Sequence, residues 1–269
     1  MATLLEIMTL AARLAREGSA GTVTAGSTVS QLRDSALRNT GRQADHLSGS
    51  WLLIPTEDAG DQQRQCTERP FSPEVGGLTV TVPWVSAPVA AAAYYIFNRA
   101  PALTDPSNAV SWQIAVNDLL AREQIRDRIQ ATVVSGQTRR FTLATQDGWT
   151  PTRASVVKVY GRTNEAVYTE YNADLQGRWK TIHEDAGSGI VIETSWEPGN
   201  DLVMVDVLRP RPALATLAAS TTFDVNVAAW GTVWRFYELM GDPPEKIARA
   251  QREWQVIYQG ERPGYAVQV

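Results

Sequence analysis

The sequence predicts an α+β fold: antiparallel β modules, sandwich-like or barrel-like, with an N-terminal helix, a central helix and a C-terminal helical hairpin. Three observations carry this reading. Short strand-like runs bounded by Gly, Pro, Asp and Ser recur at spacings of roughly 10 to 15 residues. No helical pattern separates the later runs, which argues against a parallel doubly wound sheet. Apolar residues return at helical spacing at both ends and once in the middle.

Leu4, Leu5, Ile7, Met8, Ala11 and Leu14 fall near helical spacing, with Thr3 as a cap and Gly18 closing the run. The run is apolar enough to raise the question of a secretory leader. It has no basic start, however, and Glu6, Arg13 and Arg16 interrupt it. No stretch approaches the roughly 20 apolar residues of a membrane span, so the expectation is a soluble chain without export. From Ser19 to Thr40 the composition turns to Ser, Thr, Gly and Ala, and TVTAGSTVSQL predicts a short strand or an extended arm.

Between Ser48 and Phe97 the runs SWLLIP, RQCTERPF, GLTVTVPW and AAYYIF predict a small antiparallel module, with a two-residue period in LTVTV. The prolines of APALTDPS, Ala100 to Ser107, break this pattern and cap a helix expected from about Asn108 to Gln130. Trp112, Val116, Leu119 and Leu120 form its apolar face; Arg122, Glu123, Arg126, Asp127 and Arg128 form its solvated one. The runs RRFTLA, SVVKVYG, AVYTEY, WKTIHE, GIVIETSW and DLVMVDVLR then predict an antiparallel sandwich or barrel.

Near the end, Ala228, Trp230, Val233, Trp234, Tyr237 and Leu239 predict a helix that stops at Gly241. Asp242 and Pro243 restart a last helix with Ile247, Ala250, Trp254, Ile257 and Tyr258 on one face, completing a hairpin. The helical ends, residues 2–17 and 225–259, are candidate docking elements, because an amphipathic helix binds a groove through its apolar face. The alternating tail ERPGYAVQV suits addition to a neighbour's sheet edge. The organisation expected is a helix over 1–18, a small β module over 19–107 and an α+β region over 108–269.

With 269 residues, 43% apolar and 20% charged, the chain has a globular balance. Its net charge of −4 comes from acidic and basic residues mixed along the whole length. That argues against a surface built mainly to neutralise phosphates, while leaving room for a local patch on the folded surface. The one cysteine, Cys66, excludes an internal disulfide and a paired-cysteine metal site.

The residues that carry chemistry are few. His46 and His183 lack a second ligand at metal spacing, and His183 with Glu184 and Asp185 is the one group resembling an acid–base cluster. A turn between strands accounts for the same residues. Glu57, Asp58 and Asp61 suggest a hard cation, but the acidic ladder of a calcium loop is missing and Asp-Ala-Gly is hairpin chemistry. The pairs Gly76 with Gly77 and Gly187 with Gly189 precede no phosphate-cradling helix, and Ser188 has no nucleophile elbow. No catalytic, cofactor-binding or metal-binding residue is assigned, and a non-enzymatic role without cofactor is expected. The nine tryptophans suggest stacking on sugars or bases, though core and interface packing explains them more simply.

The segment from about Val23 to Phe97 resembles a pattern of tailed-bacteriophage virion proteins, carried by GSWLLIP, EDAGDQQRQ, RPF, GLTVTVPW and YYIF. The helix, β region and terminal hairpin that follow look like head-to-tail connector, or neck adaptor, proteins. The resemblance implies a virion structural subunit assembled in the bacterial host cytoplasm, and it transfers no catalytic motif. Implied partners are copies of the chain in a ring, portal or other neck and tail proteins, and DNA where it threads a central channel, with no membrane. Two alternatives stand beside it: a carbohydrate-binding capsid decoration or tail-fibre or tail-tip attachment protein using the tryptophans, and a hydrolase resting on Glu57, Asp58, His183, Glu184 and Asp185.

Overall fold

The computed structural model describes residues 1–38, 47–55, 62–101, 110–146, 148–162, 179–185, 189–194 and 202–261. The chain forms two compact units, Met1–Leu119 with Ala213–Val269, and Leu120–Pro212. The α+β class expected from the sequence is the class found.

In the first unit a short strand β1 (Ala2–Thr3) leads into α1 (Leu4–Leu14). Thr3 Oγ1 accepts from Glu6 N at 3.2 Å while the Glu6 carboxylate accepts from Thr3 N at 2.8 Å, a reciprocal cap that satisfies two backbone donors at the helix start. Leu4, Ile7, Met8, Ala11 and Ala12 face inward and are buried.

Six strands follow: β2 (Gly18–Thr22), β3 (Gln31–Arg33), β4 (Trp51–Ile54), β5 (Gln62–Ser72), β6 (Gly77–Val80) and β7 (Ala93–Phe97). They form one antiparallel sheet in the order β2-β7-β4-β5-β6-β3. The described part of the stretch expected as a strand or arm, up to Arg38, is thus integrated as the two edge strands. Thr24 N donates to Arg33 O over 2.7 Å, which brings those edges together and curls the sheet around Leu32, Leu52, Ile54, Cys66, Leu78 and Ile96. The bend passes through β5, whose register shifts between Cys66 and Phe71 as it leaves β4 for β6.

The central helix is shorter than the sequence suggested. It occupies α2 (Trp112–Arg122), and β8 (Gln124–Val133) replaces the expected second half. The reason is a period of two: Asp127, Ile129 and Ala131 sit opposite Val207, Val205 and Val203, while Arg126 and Arg128 both reach Asp206. A helix would scatter both sets around its circumference.

In the second unit β8 is joined by β9 (Arg140–Ala144), β10 (Val156–Arg162), β11 (Trp179–Asp185), β12 (Gly189–Thr194) and β13 (Leu202–Pro210). The order is β10-β13-β8-β9-β12-β11, antiparallel throughout. Ile129, Phe141, Leu143, Ile192, Val203 and Val205 make its core. These strands are the expected ones; AVYTEY lies outside the described residues.

The chain then completes the first unit through β14 (Ser220–Thr221), paired with β1, followed by α3 (Val225–Met240) and α4 (Pro244–Glu261). Asp224 caps α3, its carboxylate accepting from Asn226 N at 2.8 Å and Val227 N at 3.2 Å. Gly241 ends it with φ 68°, a left-handed conformation that glycine adopts without steric penalty, and its N–H closes on Glu238 O. The hairpin is the one the sequence predicts. Its helices meet closely because Gly231 has no side chain: a Cβ there would lie 2.6 Å from Leu119 Cδ2. α1 also packs on α3, and Trp112 stacks on Phe236 at 3.9 Å. The buried apolar residues of α1, α3 and α4 are thus used within the unit. The tail 262–269 lies outside the described residues.

Candidate functional site

The polar residues singled out in the sequence are not gathered into a described site. His46, Glu57, Asp58, Asp61, Gly187 and Ser188 lie outside the described residues. His183, Glu184 and Asp185 are the last three residues of β11, in register with Val191, Ile190 and Gly189. Gly76 and Gly77 form the turn and start of β6. Among the described residues no group of three His, Cys, Asp or Glu side chains is placed to hold a metal ion. Cys66 is buried, and burial pushes its thiol up to about 12, so it stays protonated at neutral pH and packs as an apolar side chain.

The tryptophans are mostly inside. Trp84, Trp112 and Trp254 are buried, and Trp51, Trp149, Trp230 and Trp234 are half-buried. The side chains of Trp179 and Trp196 lie outside the described residues.

Three surface features remain. The first is the connection from β6 to β7. No charged residue occurs from Val75 to Asn98, and within that stretch Val82, Val85 and Val89 are 60%, 87% and 73% exposed. The segment is nevertheless pinned. Trp84 is buried and its N–H donates to Val29 O at 2.7 Å, Arg64 Nε donates to Pro83 O at 3.3 Å, and Ala91 N donates to Val23 O at 2.8 Å. The result is a tethered loop that holds valines in water, against the usual tendency of such side chains to be inside. Sequence reasoning read only its first half, as the end of a strand; the long charge-free run was the available signal.

The second is a cluster on Lys246. Its ammonium lies 3.2 Å from Asp242 Oδ2, 3.7 Å from Glu17 Oε1 and 3.8 Å from the ring centroid of Tyr237. Burial raises the Glu17 carboxyl above its ordinary value, opposed by Lys246 and Arg99. Burial also raises the Tyr237 hydroxyl, reinforced by Glu17 and Asp242.

The third lies on the outward face of the β10-β13-β8 sheet. Asp206, 3% exposed, accepts from Arg126 Nη2 at 2.6 Å and Arg128 Nε at 2.7 Å. Its Cα neighbours in register are Arg128 on one side and Lys158 on the other. The arginine side chains remain 53% and 41% exposed. Three cations thus surround one carboxylate, a grouping the linear sequence spreads over three strands. No protein-family model matches the chain, and no curated protein matches its sequence.

Proposed function

We propose that the chain is a non-enzymatic structural subunit of a tailed-bacteriophage virion, assembling as a ring at the head-to-tail connector and linking the head to the tail. The observation that carries the assembly part of this reading is the tethered loop with Val82, Val85 and Val89. A folded unit that holds uncharged, apolar side chains rigidly in water has a surface suited to another protein, and the ordering entropy is lost on folding, before a partner binds. The setting comes from the resemblance of GSWLLIP, RPF, GLTVTVPW and YYIF to virion proteins, and the loop follows directly on the third of these segments. Rings form when one patch meets a different patch on the next copy and the rotation closes.

The described tryptophans favour assembly over glycan stacking, since none of the seven with described burial is exposed. The test is immunogold electron microscopy of purified particles, together with the sequence of the DNA flanking the gene. Label at the junction of head and tail, beside portal and tail-tube genes, supports the neck assignment. Label on the capsid surface or tail tip moves the subunit elsewhere in the virion, and metabolic or secretory neighbours overturn the virion reading.

A further inference from the structure

We infer that the outward face of β8, β10 and β13 binds the phosphodiester backbone of duplex nucleic acid. This goes beyond the assembly reading and stands on residues that reading does not use. The case begins with Asp206. A carboxylate 3% exposed, gripped by Arg126 through Nε and Nη2 and by Arg128 through Nε, fixes both guanidiniums in direction. The two arginines are two residues apart on one strand, so they repeat at about 6.8 Å along one face. Lys158 flanks Asp206 from the opposite strand. Counted together, three positive charges against one negative leave the patch with a net charge of two, on a chain whose total is −4.

The surroundings favour a backbone ligand over a protein surface. Gln130 and Thr132 continue the same face of β8 and are exposed, and Thr142 lies opposite Thr132 on β9. Such side chains donate hydrogen bonds to phosphate and sugar oxygens. Protein interfaces draw their energy from aromatic or arginine anchors in desolvated pockets. Here the arginines stand half exposed on a sheet face, and Leu208, 38% exposed, is the large apolar side chain described as exposed on β13. Nothing in this set reads base edges, so the binding is independent of sequence.

The test is fluorescence anisotropy of the full chain with a labelled duplex of about 20 base pairs, titrated across salt. Three phosphate contacts give a slope of about −2.7 in log affinity against log salt, an affinity loss of about 40-fold between roughly 50 and 200 mM. Lys158→Gln should weaken binding and reduce the slope by about 0.9. Arg126→Lys with Arg128→Lys keeps the charge and should keep most of the slope, with circular dichroism confirming the fold. Lys246→Gln, in the other unit, should change neither. No binding at low salt, a slope unmoved by Lys158→Gln, or tighter capture of polyglutamate than of duplex at equal charge overturns the inference, the last outcome assigning the face to an acidic protein surface. Each of these outcomes leaves the virion assignment untouched, because that is read from particles.

Discussion

The hydroxyl of Tyr94 donates to Oδ2 of Asp34 over 2.8 Å inside the curled sheet, across 60 residues of sequence. Both residues are buried, at 1% and 4% exposure, and the other carboxylate oxygen accepts from Ala36 N at 2.8 Å. Gly21 stands against the pair: a Cβ there would collide with the Tyr94 hydroxyl and the Asp34 carboxylate. The contact therefore joins β2, β7 and the turn after β3. Tyr94→Phe keeps the ring and removes the donor, leaving an acceptor buried without it, and should lower stability by about 1 to 3 kcal/mol in urea unfolding. Gly21→Ala should lower it by steric displacement. Full stability in both variants would mean that the pair is not a fixed point of the core.

A buried cation ties the helices. Arg235, 2% exposed, pairs with Asp118 of α2 and Glu238 of α3 and lies 5.1 Å from the Trp234 ring centroid. Asp118→Ala should cost about 2 kcal/mol, less than for a wholly enclosed pair because Asp118 keeps 29% exposure and Glu238 remains to balance the charge. Arg235→Met should cost less than that, since it removes the buried charge together with its partners. Chemical denaturation of the two variants side by side checks the order, and the reverse order would rule out desolvated charge as the cause.

Much of the fold is legible in the sequence because local chemistry determines it. Thr3 and Glu6 stand at the spacing of a reciprocal cap, Gly241 must end a helix, and β4, β6 and β7 are short apolar runs between turn residues. The segment IRDRIQ was misread because its charges satisfy helix and strand patterns equally, and only pairing with β13 decides between them. β2 and β3 were uncertain for the same reason: GSAGT and QLR gain their strand character from β7 and β6. The surface features were less legible still. Arg126 and Asp206 are 80 residues apart, and no local pattern announces that they meet.

Glu17 makes stability depend on pH. Burial raises its folded-state carboxyl above the ordinary value of 4.5, so the folded chain holds the proton more tightly than the unfolded one. The contribution is favourable below 4.5 and is lost as pH rises from there through the raised folded value. Glu17→Gln should flatten the stability profile across that window, also giving up the 3.7 Å contact with Lys246. Urea midpoints measured from pH 4 to 8 decide this. An unchanged profile would assign the dependence to another group.

The tethered loop separates stability from assembly. Trp84 is 3% exposed, and Trp84→Ala removes a large buried ring, so it should cost about 3 kcal/mol and loosen the loop as well. Val85 is 87% exposed and Val89 73%, so changing both to Asp should leave stability within about 0.5 kcal/mol. If the loop is the docking surface, the double variant folds normally yet is missing from purified particles, because two carboxylates would have to be desolvated against an apolar partner. Immunoblotting of particles made with each variant measures this. Incorporation of the double aspartate variant at the level of the original chain would remove the loop from the contact and shift attention to the groove of about 590 Å³ lined by Met1, Leu10, Arg13 and Phe223.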